Sequence, residues 1–505
     1  MEAPSMPTEP KQQERQMTLW ESDDRIVPQT SALQAEPTKL GNASGGKAVE
    51  LIRSPDRAVS VHRDGEPLLT RLDCITQRAE RDRSATFDNL YSALNYELLY
   101  EAFCRLKRGK VPGVDGQTVE DYGQKLIANL RSLETRLHRG SYRPRPSLRR
   151  YIAKGNGKSR PLGITCVEDK IVERAIVLLL ERIYEVDFVD SSYGFRPGRS
   201  CHHALSNLGT HITRRKVNFI LDADISSFFD CVSHARLLEL LRIRITDRRL
   251  LRLIERFLKA GVMIDGHRHA TSAGVPQGSC LSPLLANVYL HYVLDEWFED
   301  EVKPRLIGEA YMVRYADDTV FAFERHDDAI RVRDVFAKRL DRYSLEVSSE
   351  KTKLTRFGRF ALRDCQQMGE GAPSTFDFLG FTHYCGRSRS GKFKLKRQTS
   401  TKKLRQKIAF LKEWFRKNLT TPIAEVWATL NAKLSGHYQY YNVNDNWRSL
   451  LKYREVARRL GLRWMRRRSQ SGSVLSWAQY NLHLQRNPLA LPGRITDLIA
   501  MARMV

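Results

Sequence analysis

Three aspartates have the spacing of a chemical site. Asp317 and Asp318 are adjacent between two strand-like runs, Tyr311 to Tyr315 and Thr319 to Phe323, so the pattern predicts a hairpin with acids at its tip. Asp224 closes a third run, Val217 to Ala223, whose β-branched, aromatic and apolar residues read as a buried strand ending on an acid. If the two elements are neighbours in one sheet, their carboxylates would offer hard oxygen ligands to divalent cations. Nucleotidyl transfer needs two such ions, one activating the attacking oxygen and one clamping the triphosphate, and Mg2+ is the expected species. Paired acids in a turn are more often simply solvated, so the surrounding elements must decide.

Those elements read as follows. Residues 1 to 80 are rich in Pro, Ser, Gln and charge and are expected to be mostly disordered. Order is expected from about Phe87, where Leu90, Leu94, Leu98, Ala102 and Phe103 recur at helical spacing ahead of a loop from Gly109 to Gly116. Helical stretches from Asp169 to Tyr184 and from Leu281 to Trp297 intervene between the strands, which points to an α+β core over 81–385. The remainder, 386–505, turns all helical after about Thr399. Of the 505 residues, 84 are Lys or Arg and 58 Asp or Glu, a net charge of +26; 385–470 alone holds 23 basic and 4 acidic residues, a net of +19. So concentrated a charge predicts a nucleic-acid partner. The eight cysteines have no Cys-x-x-Cys spacing, which argues against a zinc ribbon or a disulfide scaffold and fits a reducing compartment. No apolar run approaches the roughly 20 residues that span a bilayer, so the expectation is a soluble, cytoplasmic protein with no membrane partner.

The acids have company in a fixed order. Lys154 to Ile164 (Lys-Gly-Asn-Gly-Lys-Ser-Arg-Pro-Leu-Gly-Ile), Ser192 to Ser200 (Ser-Tyr-Gly-Phe-Arg-Pro-Gly-Arg-Ser), Asp224 to Asp230, Gly274 to Pro283, Tyr315 to Asp318, Lys351-Thr352 and Phe378 to Phe381 resemble, block by block, the reverse transcriptases of bacterial group II introns. The resemblance spans roughly 87 to 385. It implies a right-hand polymerase, with fingers and palm built on an antiparallel sheet and a helical thumb and maturase region after them. It implies RNA-directed DNA polymerase activity with two Mg2+ ions on Asp224, Asp317 and Asp318. Lys158 and Arg160 follow a Gly-rich turn and would meet the triphosphate; an ordinary basic loop is the plainer reading. Phe229 would exclude a ribose 2′-OH, unless it is one more core aromatic beside Phe228, the two pointing to opposite faces of a strand. Gln277 would touch the nascent pair or its sugar, or merely close a loop. Lys351 would act near the leaving pyrophosphate, though a lysine there also suits a solvated turn. Asp222 and Asp230 are left as structural neighbours, and Tyr315 as a ring either under the primer end or simply in its strand.

Partners implied by the resemblance are dNTPs, an RNA template with a DNA primer, the group II intron RNA and the target DNA. Between Lys402 and Arg468 the positive charge is interleaved with Trp414, Phe415, Trp427, Tyr438, Tyr440, Tyr441, Trp447, Tyr453 and Trp464. Those rings are expected either to stack on unpaired bases or to form the core of a helical domain. His437 is expected to be structural. With no paired cysteines after 385 and a short tail from Ser471, no endonuclease domain is expected. Two other readings stay open: a domesticated, defence- or CRISPR-associated reverse transcriptase without an intron, and an RNA-binding splicing factor with a vestigial polymerase.

Overall fold

A computed structural model describes residues 68–153, 159–348, 350–468 and 475–501. Lys154, Lys158 and residues 1–67 of the segment expected to be disordered lie outside the described residues. In chain order the strands are β1 (Ser147–Ala153), β2 (Ser159–Ile164), β3 (Phe219–Ala223), β4 (Val262–Ile264), β5 (His267–His269), β6 (Ala310–Tyr315), β7 (Asp318–Phe323), β8 (Lys353–Arg356), β9 (Phe376–Phe378), β10 (Phe381–Arg387) and β11 (Phe393–Thr399). They form three sheets, in the orders β2-β1-β4-β5, β6-β7-β3-β8 and β11-β10-β9. All pairings are antiparallel except β1 with β4.

The second sheet is the palm. Its strands alternate because each face meets a different core. Leu221, Ala223, Met312, Phe321 and Phe323 join one with the helices Val167–Asp187, His234–Arg242, Arg248–Leu258 and His326–Arg342. Ile220, Val313, Val320 and Ala322 join the other with helix Cys201–Arg214, the third sheet and the C-terminal helices. Helix Val167–Asp187 packs on several sides and so buries two of its acids, Asp169 and Glu173, along with its apolar residues. One of its partners is helix Leu68–Arg81. That helix corrects the expectation of disorder for 68–80: Leu72 and Ala79 are spaced two turns apart and are buried. The helical pattern read from Leu90 onward is also interrupted. A 3-10 turn, Tyr91–Ala93, precedes a helix that starts at Tyr96, because the Asn95 side chain accepts the Leu98 N–H and caps it.

After β11 come helices Thr401–Lys417, Ile423–Tyr441, Trp447–Arg468, Trp477–Arg486 and Leu498–Met501. A division at 385/386 would cut the β10–β11 hairpin between the paired residues Cys385 and Leu395; Thr399 is the end of that hairpin, and the helical pattern begins two residues later.

Candidate active site

β3 and β7 are hydrogen-bonded neighbours, with Ala223 opposite Thr319. This register puts Asp224, one residue past β3, beside the β6–β7 turn. The turn is shorter than the sequence suggested: Tyr315 pairs with Asp318, so only Ala316 and Asp317 form it and Asp318 already belongs to β7. Three carboxylates therefore meet at one end of the palm sheet. Burial, then the charge of Asp224, raises Asp317 above its ordinary range, against the pull of Arg160 and Lys351. Burial, followed by Asp317 and Asp224, pushes Asp318 up to about 7, even though the residue keeps part of its surface exposed. Asp222 stands close behind: burial, then Asp318, Asp224 and Asp377, pushes it up to about 7.

Negative charge this crowded calls for a cation. The Lys351 ammonium supplies one, donating to Asp224 Oδ2 at 2.5 Å, and that hydrogen bond is the first cause of its own raised pKa. Lys351 reaches Asp224 because Ser348 donates its N–H to the Asp224 carbonyl and accepts N–H bonds from Lys351 and Thr352. Among the described residues no group of three or more His, Cys, Asp or Glu stands ready to cage a metal ion. The donor chemistry of Asp224, Asp317 and Asp318 nevertheless fits hard divalent cations, with the Lys351 ammonium standing where such a charge is wanted.

Of the other predicted residues, Arg160 approaches the acids, and the Gln277 loop is hydrogen-bonded both to its strand and to Phe229. Arg160 is exposed on β2, and its charge reaches Asp317. Three residues on, Gly163 donates its N–H to the carbonyl of Gln277 at 2.6 Å, joining β2 to the Gly274–Pro283 loop. A side chain at Gly278, whose φ is +111°, would press on the Gly163 oxygen at 2.5 Å, so only glycine allows this approach. The same loop packs against Phe229: Val275 donates its N–H to the Phe229 carbonyl at 2.8 Å. Phe229 is not on a strand. It lies in a single helical turn, Phe228–Cys231, with Phe228 buried against Tyr289 and Phe229 half-buried. The open ring is thus the one at 229, for a reason other than strand alternation.

Several residues of the site gave no signal in the sequence. Glu173, fully buried on helix Val167–Asp187, accepts the Cys280 N–H at 2.9 Å and so anchors the loop that carries Gln277; burial pushes it up to about 8. Arg314, the next-to-last residue of β6, is also fully buried. Lys403, early in helix Thr401–Lys417, is close enough to lower Asp318. Phe195 is half exposed at φ +60°, its ring centroid 6.5 Å from that of Tyr315; Tyr315 itself is half-buried in its strand.

The basic helices resolve the two readings of their rings. Phe415, Trp427, Tyr438, Tyr441, Tyr453 and Trp464 are core, whereas Trp447 is 54% exposed. His437 is buried too, and burial holds it down to about 3. The palm is joined to these helices through Phe378 to Phe381: Tyr440 donates its hydroxyl to the Leu379 carbonyl at 2.9 Å, and a Cβ on Gly380 would meet the Tyr441 hydroxyl at 2.8 Å.

Residues 152–383 match the family described as reverse transcriptase (RNA-dependent DNA polymerase). The group II intron-encoded protein LtrA of Lactococcus lactis subsp. cremoris is 32% identical over 311 residues, 59% of this chain and 51% of LtrA. Protein YkfC of Escherichia coli (strain K12) is 42% identical over 188 residues, 37% of this chain and 49% of YkfC. An uncharacterized 91 kDa protein in the cob intron of Schizosaccharomyces pombe is 35% identical over 244 residues, 46% of this chain and 29% of that protein. The chain spans about half the length of the first two.

Proposed function

We propose that this chain, which carries a reverse transcriptase domain over residues 152–383 and is homologous to group II intron-encoded proteins, is an RNA-directed DNA polymerase that also serves an intron RNA as a maturase. The observation that carries the reading is the meeting of Asp224, Asp317 and Asp318 at one end of the palm sheet, with Arg160 close enough to act on Asp317 and its strand joined to the Gln277 loop by the Gly163 hydrogen bond.

Asp224, Asp317 and Asp318 would hold two Mg2+ ions, which when bound activate the primer 3′ oxygen and neutralise charge on the triphosphate. Arg160 attracts the incoming dNTP phosphates, Gln277 lines the sugar and base side, and the half-buried Phe229 ring limits room at the 2′ position. Lys351, already raised above its ordinary value, stays cationic at neutral pH and stabilises charge that builds on the leaving pyrophosphate. Lys158, outside the described residues, is assigned to the same phosphate clamp by its sequence block alone.

The intron role is supported by the similarity to intron-encoded proteins and by the +19 segment. In this reading the partners are an RNA template, a DNA primer, the intron RNA and, if the element is mobile, a target DNA. The work is done in the bacterial cytoplasm; no helix among the described residues is long and apolar enough to cross a membrane. The test is Asp317→Ala with Asp318→Ala. The double variant should lose dNTP incorporation on a primed RNA template while keeping intron-RNA affinity. Persisting incorporation would remove the proposed site.

A further inference from the structure

Ala316 begins the catalytic turn at φ +56°, a conformation that its Cβ disfavours and that glycine normally supplies. A non-glycine residue stays there only if its surroundings hold it. Two features do so. The backbone of Gly194 lies so close that a Cβ on it would come within 2.2 Å of the Ala316 nitrogen. On the other side, two residues before Ala316, lies Arg314, which has no exposed surface.

A guanidinium has five N–H donors, and every one of these is engaged. Nε donates to Asp295 Oδ1 at 2.6 Å; Nη2 donates to Asp295 Oδ2 and to Ser192 Oγ, the latter at 2.7 Å; Nη1 donates to Asn287 Oδ1 at 3.2 Å and to the Ala316 carbonyl at 3.0 Å. Asp295 is fully buried as well. It comes from a π-helical turn, His291–Asp295, that continues the α-helix Ser282–Leu290. A π turn redirects the side chains that follow it and is often found at working sites. Asn287, one helical stretch earlier, donates to the Gly194 carbonyl at 2.7 Å. The backbones of Ser191 and Tyr193 pair with that of Arg314. One network therefore grips both sides of the turn and ends on the carbonyl of its strained residue.

We infer that Arg314 is a positioning residue for the Asp317–Asp318 pair: its guanidinium, locked by Asp295, Ser192 and Asn287, holds the Ala316 carbonyl and fixes the left-handed turn from which the catalytic carboxylates project. Bulk stability does not explain the arrangement, since a buried ion pair contributes little that well-packed apolar residues of similar volume would not. Its geometry explains it, because planar bidentate recognition by Arg specifies direction, and Lys cannot reproduce it.

The kinetic part rests on the polymerase reading, so a measurement independent of turnover accompanies it. Three variants of the full chain are compared with the wild type: Arg314→Lys, Ser192→Ala, which removes one hydroxyl, and the apolar pair Arg314→Met with Asp295→Leu, which leaves no unpaired charge. Melting curves identify the folded ones. Each is assayed by Mn2+ binding followed by electron paramagnetic resonance and by primer extension on RNA. Folded Arg314→Lys and the apolar pair should bind Mn2+ several-fold more weakly and lose at least about ten-fold in kcat, with the dNTP KM changed less than about three-fold. Ser192→Ala should move both readings the same way by a smaller factor. Wild-type Mn2+ affinity and kcat in any two folded variants would overturn the inference, as would a wild type that binds no Mn2+. A wild type that binds Mn2+ without extending a primer would defeat the polymerase reading alone, leaving the Mn2+ affinities to decide the role of Arg314.

Discussion

Glu173 makes the most quantitative prediction. It is fully buried, accepts the Cys280 N–H at 2.9 Å, and is pushed by burial from 4.5 up to about 8. The folded state therefore keeps the Glu173 proton over a range in which the unfolded chain has released it. The Glu173 contribution to stability is then greatest below about pH 4.5, falls as pH rises, and levels off above about 8. At pH 7 the difference is about 2.5 units, and at about 1.4 kcal/mol per unit the carboxyl costs the fold roughly 3 kcal/mol. Glu173→Gln keeps an oxygen for the Cys280 N–H and cannot ionise in either state. The variant should match the wild type near pH 4.5 and exceed it by roughly 3 kcal/mol at pH 7. Asp169, pushed up to about 6 mainly by burial, titrates in the same window, so the readout is the difference between variant and wild type in denaturant unfolding at pH 5, 6, 7 and 8. A constant difference across that range would refute the assignment of a buried, proton-holding Glu173.

Two further outcomes follow from the site and the charge. Phe229→Val should raise the ratio of ribonucleotide to deoxyribonucleotide incorporation by at least about ten-fold, read by single-nucleotide extension with each substrate; an unchanged ratio would move sugar discrimination to another residue. Because the basic helices keep most rings inside and leave charge outside, RNA affinity should fall with salt at a log–log slope steeper than about −4, measured by filter binding; a slope shallower than about −1 would contradict an electrostatic interface.

The meeting of Asp224, Asp317 and Asp318 was legible because acids at a hairpin tip and at a strand end leave a local record in the sequence, and adjacency of the two strands follows from one sheet. The Gln277 loop was legible only through its block, since nothing local says that its carbonyl will meet Gly163. Residues that act through long-range contacts were silent. Arg314 reads as one polar residue in a strand until Asp295 and Ser192, 19 and 122 positions before it, are seen around it. Glu173 looks like the polar side of an amphipathic helix until Cys280, 107 residues away, is placed on it. Helix Leu68–Arg81 was missed because two buried positions in a polar stretch resemble a disordered segment; tertiary packing, not propensity, decides it. The aromatic residues after Thr399 could be read either way because a ring in a basic helix has the same sequence whether it faces RNA or its neighbours.

The second core has a mechanical consequence. Val313 and Val320 of the palm, Phe376, Phe381 and Leu395 of the third sheet, and Leu430, Tyr453 and Trp464 of the basic helices belong to one continuous apolar body. Removing the helices would uncover the apolar side of the third sheet and of helix Cys201–Arg214, on which they pack, and expose it to aggregation. Such a union does not behave as a module that can be grafted or lost. The basic helices and the palm face beneath them should unfold in a single step, and inheritance should keep them together, each serving as the other's missing interior.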